Sequence, residues 1–184
     1  HYYLLASKDG ITIGKRYFKH ENNKEDYPFS PSGHNLYDNN SKLYYCRDFD
    51  NIVYQIHEDS VVPRFRINLP NPLPASMIEE RPNEMSLLRS GYSLGITDIY
   101  EYGGLLFFRF VKDGYIWSCL YNVEESKQVY CAKRIKFLDS SLIDTIDGIY
   151  KDCFYSILTP EYLDYAFSEN PLEDYPDLFK TYDV

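Results

Sequence analysis

No run of 18 apolar residues occurs in the chain, so no helix is expected to cross a membrane. Clusters of Lys and Arg are missing as well. With 28 acidic against 19 basic residues and a formal charge of -9, nucleic-acid binding through phosphates is not expected. The start, HYYLLASKDG, has neither the charged head nor the apolar core of a signal peptide, and it lacks an initiator Met. It reads as though it begins inside a strand, which leads to the expectation of a mature or shortened chain.

Chemical signatures are also scarce. The four His (His1, His20, His34, His57) stand 14 to 23 residues apart, with no His-x-x-x-His and no Cys-x-x-Cys. No metal-ligand spacing exists, and no metal or other cofactor is expected. No G-x-x-x-x-G-K loop is present to cradle phosphates. One motif matches in form: GYSLG, residues 91–95, has the G-x-S-x-G shape of a hydrolase nucleophile elbow. Such an elbow needs a helix after the Ser and a His later in the chain. The residues after Ser93 alternate like a strand, and all four His precede it. Ser93 is therefore not expected to be a nucleophile, and the flanking Gly residues are expected to loosen the start of a strand. DTIDG, with Asp144 and Asp147, lacks the alternating ligands and terminal Glu of a calcium loop and reads as a turn before a strand. The 28 acids allow many carboxylate pairs suited to glycoside hydrolysis, but sequence gives no distances between them.

Aromatic residues, by contrast, are abundant: 20 Tyr and 11 Phe in 184 residues. They favour strands, where they pack on a pleated, half-buried surface. YYLLAS and ITIGKRYFKH flank KDG, where Asp9-Gly10 signals a hairpin. After a polar loop come HNLYDNN, KLYYCRDF, NIVYQIHED and VVPRFRINL, four short strands, the last confined by Pro63 to an edge or to a position where no ladder donor is needed. Residues 70–90 carry four prolines and break the pattern. ASMIEE and NEMSLLRS each suit a short helix there, with Asn83 as N-cap. The strands then resume with YSLGITDIYEYG, LLFFRFVKDG, YIWSCLYNV and QVYCAKRIKF. A further short helix is expected at 160–167, with Thr159 as N-cap and Pro160 in the first turn.

Laying residue 43 on residue 105 aligns LYYCRDF with LLFFRFV and puts Arg47 on Arg109, an offset of 62. A weaker third copy begins near IDTIDGIYKDCFYSIL, residues 143–158. Four-stranded units in series are the mark of stacked propeller blades, each of which needs neighbours to bury its faces. The expected fold is all-β: one domain over 1–184, a partial β-propeller-like array of four-stranded antiparallel blades. It comprises a half-blade at 1–20, blades at 36–69 and 92–138, a partial blade at 143–158 and a short helical insertion. A β-sandwich is the alternative. Sheets stacked face to face like neighbouring blades are expected, with terminal faces covered by a longer native chain or by self-association.

LYYCRDFDNIVYQIHEDSVVPRFRINLP resembles the 6-bladed β-propeller proteins of Bacteroides and relatives, often described as lipoproteins. Asp50, Ile52, Tyr54, Ile56, Pro63, Arg64 and Phe65 occupy that family's characteristic hairpin positions. YEYGGLLFFRFVKDGYIWSCLYNVEESK and DTIDGIYKDCFYSILTPEYL resemble the regions that come after it. With only two complete blades, the chain looks like a C-terminal part of such a protein. The resemblance implies a periplasmic or surface-anchored cell-envelope module that binds or scaffolds a glycan, peptide or protein. It also keeps open a propeller-type lyase or glycosidase using carboxylates at the central channel. Loops between strands are the usual binding places on such arrays, so Asp48, Asp50, Lys112 and Asp113 are the candidate ligand-binding residues. No catalytic residue is singled out.

Of the four Cys, Cys119 and Cys131 fall on consecutive strands joined through VEESK. A three- or five-residue loop centred on Glu125 would set them opposite each other, about 4.5–5.5 Å apart at Cβ. A disulfide between them is one reading; free thiols packed beside aromatics is the favoured one.

Overall fold

The structure is a computed structural model, and it describes residues 2–7, 14–19, 35–39, 41–80, 82–133, 135–137, 140–143, 146–157 and 159–161. Strands β1 (Tyr2–Ala6) and β2 (Lys15–Lys19) pair antiparallel, with Ala6 opposite Lys15. The Asp9-Gly10 turn expected between them lies outside the described residues.

The next four strands, β3 (Leu36–Asn39), β4 (Lys42–Cys46), β5 (Ile52–Ile56) and β6 (Val61–Arg66), form a sheet in chain order, all antiparallel. Pro63 does lie on an edge strand, where a missing ladder donor costs little. The Pro-rich insertion holds α1 (Ala75–Glu79) and α2 (Glu84–Leu88). The Asn83 side chain accepts a hydrogen bond from the Ser86 N–H and so caps α2. A second four-stranded sheet comes next: β7 (Ser93–Tyr102), β8 (Leu105–Lys112), β9 (Tyr115–Asn122) and β10 (Lys127–Ala132). Its order is again sequential, and neither sheet contains a crossover. That excludes a Greek-key sandwich for these eight strands.

The two sheets stack. β3 and β7 lie side by side and run in the same direction, because Tyr37 reaches Thr97 while Asn39 reaches Ile99 and Glu101. One apolar cluster fills the interface and the second sheet: Tyr37, Tyr44, Cys46 and Val53 from the first, with Ile96, Ile99, Phe107, Phe108 and Phe110 from the second. On the far side of the first sheet, Phe18 of β2 packs on Tyr45 and Tyr54. The β1–β2 hairpin thus sits beside the first sheet, as the first sheet sits beside the second. A smaller cluster of Leu73, Leu87, Leu94 and Val111 seats the helical insertion. Gly95 (φ +95°) permits a close approach: a Cβ there would lie 2.9 Å from the Phe49 backbone.

Three details depart from the sequence reading. Asn39–Lys42 and Tyr102–Leu105 flank equivalent two-residue turns, so the sheets superpose with an offset of 63 at this hairpin and not 62. A slip of one residue in a strand moves a side chain to the opposite face. Arg47 and Arg109 are therefore not equivalent: Arg47 lies past the end of β4, while Arg109 is inside β8. The second sheet also ends at Ala132 rather than near 138. The chain bends at Lys133, whose ammonium lies 3.6 Å from the Tyr115 ring centroid, and Ile135–Phe137 (β11) pairs with Ser140–Ile143 (β12) as a separate hairpin. The segment expected as a partial blade from 143 holds the short hairpin β13 (Gly148–Tyr150) and β14 (Cys153–Tyr155). Helical conformation begins at Pro160–Glu161, and the rest of the helix expected to 167 lies outside the described residues.

Candidate functional site

The β13–β14 hairpin packs against both β3 and β7, so the first strands of three successive units converge. Between them lies a cleft of about 370 Å³, whose lining includes Tyr37, Asp38, Ser41, Tyr100, Asp147 and Tyr155. That is within the range of small-ligand sites.

Each wall has a local cause. Asn39 is 1% exposed, and its side chain joins β3 to β7: Nδ2 donates to the Ile99 carbonyl at 3.1 Å, while Oδ1 accepts from the Glu101 N–H at 2.6 Å. A side-chain amide here replaces a strand ladder between sheets that have none. Next to it, the Tyr37 hydroxyl donates to the Thr97 carbonyl, and the Tyr37 ring meets Tyr100 edge to face at 6.3 Å. The Tyr100 hydroxyl donates to the Asp147 carbonyl at 3.1 Å, which ties the third unit to the second. Asp147 in turn closes its own loop, its Oδ2 accepting from the Ile157 N–H at 2.6 Å. Gly148 lets Tyr155 fold over the strand; a Cβ would lie 2.6 Å from the Tyr155 hydroxyl.

Burial raises the titration point of the Tyr37 phenol far above its ordinary value, and the nearby Asp98 adds to this. Tyr100 is pushed up to about 12 by burial, then by Asp98 and Asp147. Both phenols stay neutral donors at physiological pH, and among the described residues Asp38 and Asp147 are the ionisable acids of the lining, with no Lys, Arg or His beside them.

None of the four candidate residues read from the sequence lines this cleft. Asp48 and Asp50 occupy the β4–β5 turn, while Lys112 and Asp113 lie at the β8–β9 turn, at the opposite end of the strands from Ser41. Asp50 holds its own turn together. Its Oδ1 accepts from the Asn51 and Ile52 N–H groups, and its Oδ2 pairs with Arg47 at 2.5 Å. Arg47 is also placed over the rings of Phe18 and Tyr54. Lys112 and Asp113 pair with each other at 2.6 Å. Ser93 is buried at the start of β7 and donates to the Pro70 carbonyl, so its hydroxyl is committed to seating the insertion. Asp144 lies outside the described residues, and those described contain no group of three or more metal-binding side chains.

Cys119 and Cys131 are joined as a disulfide, their Cα atoms 4.1 Å apart, which replaces the favoured free-thiol reading. The turn is not the odd-length loop expected. Asn122 and Lys127 flank four residues, which alone would set Cys131 one place out of step, and a bulge at Val129 restores the register. Cys46 is a buried free thiol and Cys153 an exposed one.

LYD at 36–38 and IYE at 99–101 share an apolar–Tyr–acid pattern on β3 and β7, but Tyr150 of the similar IYK at 149–151 is 62% exposed and does not line the cleft, so the pattern does not mark the site.

No family model matches the chain, and no curated protein matches it. Among solved structures, the fold is similar to that of a candidate exported protein from Bacteroides fragilis NCTC 9343, with a TM-score of 0.56 and 14% identity. The match covers 71% of this chain and 38% of that one, so the aligned part is well under half of the neighbour. At such identity the likeness speaks for the fold alone: an all-β chain of antiparallel, four-stranded sheets stacked in sequence.

Proposed function

We propose that the chain is an exported ligand-binding module built as part of a β-propeller, with its ligand site in the cleft between β3, β7 and β13. Sequential four-stranded sheets, with parallel first strands brought together at one edge, support the propeller reading. A cell-envelope location is supported by the disulfide, which persists in oxidising compartments, and by the description of the Bacteroides fragilis neighbour as exported. The observation that carries the binding role is the cleft itself, a concave, mainly polar site whose lining includes three Tyr, two carboxylates and a Ser hydroxyl. A glycan, peptide or protein segment is the ligand class. A lyase or glycosidase is the second reading, favoured by one observation: Asp38 and Asp147 line the same cleft.

Amide chemical shifts of the 15N-labelled protein, titrated with neutral oligosaccharides and short peptides, test the proposal. Shifts should cluster at residues 36–41, 100 and 147–155. Shifts confined to residues 47–51 and 112–114 would move the site to the opposite turns. Bond cleavage in the same samples, lost in Asp38→Asn, would favour the enzyme.

A further inference from the structure

Resting on the reading of this cleft as the ligand site, the geometry points to a ligand group that is a compact organic cation, a protonated amine or a guanidinium. Five acids elsewhere among the described residues are paired with bases. Asp50 is paired with Arg47 at 2.5 Å and Asp98 with Arg109 at 2.7 Å. Glu101, which follows Tyr100 as Asp38 follows Tyr37, holds Arg64 at 2.8 Å, Lys42 at 3.1 Å and the Tyr44 hydroxyl. Even exposed Asp59 and Asp113 each have a Lys.

The two acids of the cleft differ from these five. Asp38 and Asp147 both line it, and among the described residues no basic side chain pairs with either. Asp147 is half-buried, and its Oδ2 is held by the Ile157 N–H and the Ser156 hydroxyl, neutral groups that fix its position and leave its charge uncompensated. With Asp38 exposed and Asp147 half-buried, an incoming cation gains a solvent-screened attraction to two carboxylates that no base already holds. The remaining walls are suited to the same guest. Tyr37 and Tyr100 in the lining are buried and packed on each other and on Phe107, so Tyr155 is the ring open to a guest, and electron-rich rings attract ammonium and guanidinium groups within about 6 Å. Tyr155 is 40% exposed, so its ring is accessible. The chain's formal charge of -9 draws cations towards it and repels phosphate, sulfate and uronate groups.

A protonated amine can come from a Lys-containing peptide or from an amino sugar, and a guanidinium from an Arg-containing peptide. Matched probes separate these sources from a neutral ligand: end-blocked tripeptides centred on Lys, Arg, Gln or Glu, and glucosamine beside its uncharged N-acetyl form. Each is titrated into the 15N-labelled protein at low and at 0.5 M NaCl. The expected result is binding of the basic probes, with shifts at residues 36–41 and 147–155, weakened by salt. In Asp38→Asn, whose side chain is exposed and whose fold should survive, affinity should fall about fivefold, the loss of one solvent-accessible ion pair. Preference for Lys or Arg peptides over glucosamine names a peptide source, and the reverse names an amino sugar. Equal or tighter binding of the Gln peptide or N-acetylglucosamine in the same residues would overturn the cation inference and leave the site standing. Shifts confined to residues outside the cleft would overturn both.

Discussion

The two four-stranded sheets have one topology and similar sequences, yet they use their side chains differently. In the first, β3 alternates exposed and buried residues and β6 is largely exposed. In the second, residues 93–100 of β7 are all buried. The difference is position in the stack. The second sheet lies between the first sheet and the β13–β14 hairpin, so both its faces need apolar cover, and a strand buried on both faces loses its alternation. Ions follow the same logic. Arg109 and Asp98 form a cross-strand pair with side chains 19% and 8% exposed, whereas Arg47 pairs within its own turn at 36% exposure. Two arginines that a gapless alignment superposes carry different energies because one is less exposed and pairs with a buried carboxylate.

Substitutions can break that comparison, and the largest effect is expected at the buried pair. Arg109→Met leaves Asp98 charged and unpaired, and should lower unfolding free energy in urea by about 3–5 kcal/mol. Arg109→Met combined with Asp98→Asn should recover much of the loss; no recovery would show that Arg109 matters through packing alone. The disulfide comes next. Reduction, or Cys119→Ser with Cys131→Ser, frees a short loop found only in the second sheet and should cost about 3 kcal/mol. A thermal transition insensitive to reductant would contradict it. Asn39→Leu removes the side-chain link between β3 and β7 and leaves the Glu101 N–H and Ile99 carbonyl without their partner, for about 2–3 kcal/mol. Hydrogen exchange should then quicken at β3 more than at β9, and uniform exchange would show the sheets do not depend on this link. Arg47→Met, the counterpart of the first substitution, should cost less than about 1 kcal/mol because its ion pair is half in solvent.

The smallest effect concerns acid. Burial alone would raise the Glu101 carboxyl, but hydrogen bonds from Tyr44, Arg64 and Lys42 outweigh it and hold the group below its ordinary value of 4.5. A carboxyl depressed in the folded state contributes stability that is present above its unfolded value and is lost as pH falls through the folded one. Stability should therefore drop below about pH 4.5 more steeply in the parent protein than in Glu101→Gln. Parallel curves would exclude Glu101 from the acid response.

Much of the fold was legible. Asp-containing turns, Pro63 at an edge, the Asn83 cap and two sets of four aromatic strands each follow from local chemistry, and the structure keeps them. The site was less so. Asp48, Asp50, Lys112 and Asp113 stand out because turns carry charged residues, but three of those charges serve their own turn or its neighbour. The cleft residues come from segments 36–41, 100 and 147–155, and nothing local announces that they meet. The Cys pair failed for a related reason: loop length is readable, whereas the bulge at Val129 that corrects the register is set by pairing with β9.

By itself, the sequence determined an all-β chain without a membrane-spanning helix, divided into repeated hairpins, because strand propensity and turn chemistry act over a few residues. Only the tertiary structure decided which acids find a counter-ion and which face a cleft without one. It also set which of two aligned arginines is the less exposed, and that Tyr37, Tyr100 and Tyr155 line one cleft. Those outcomes depend on the stacking of one sheet on the next, an interaction between residues about 60 apart that no local pattern encodes.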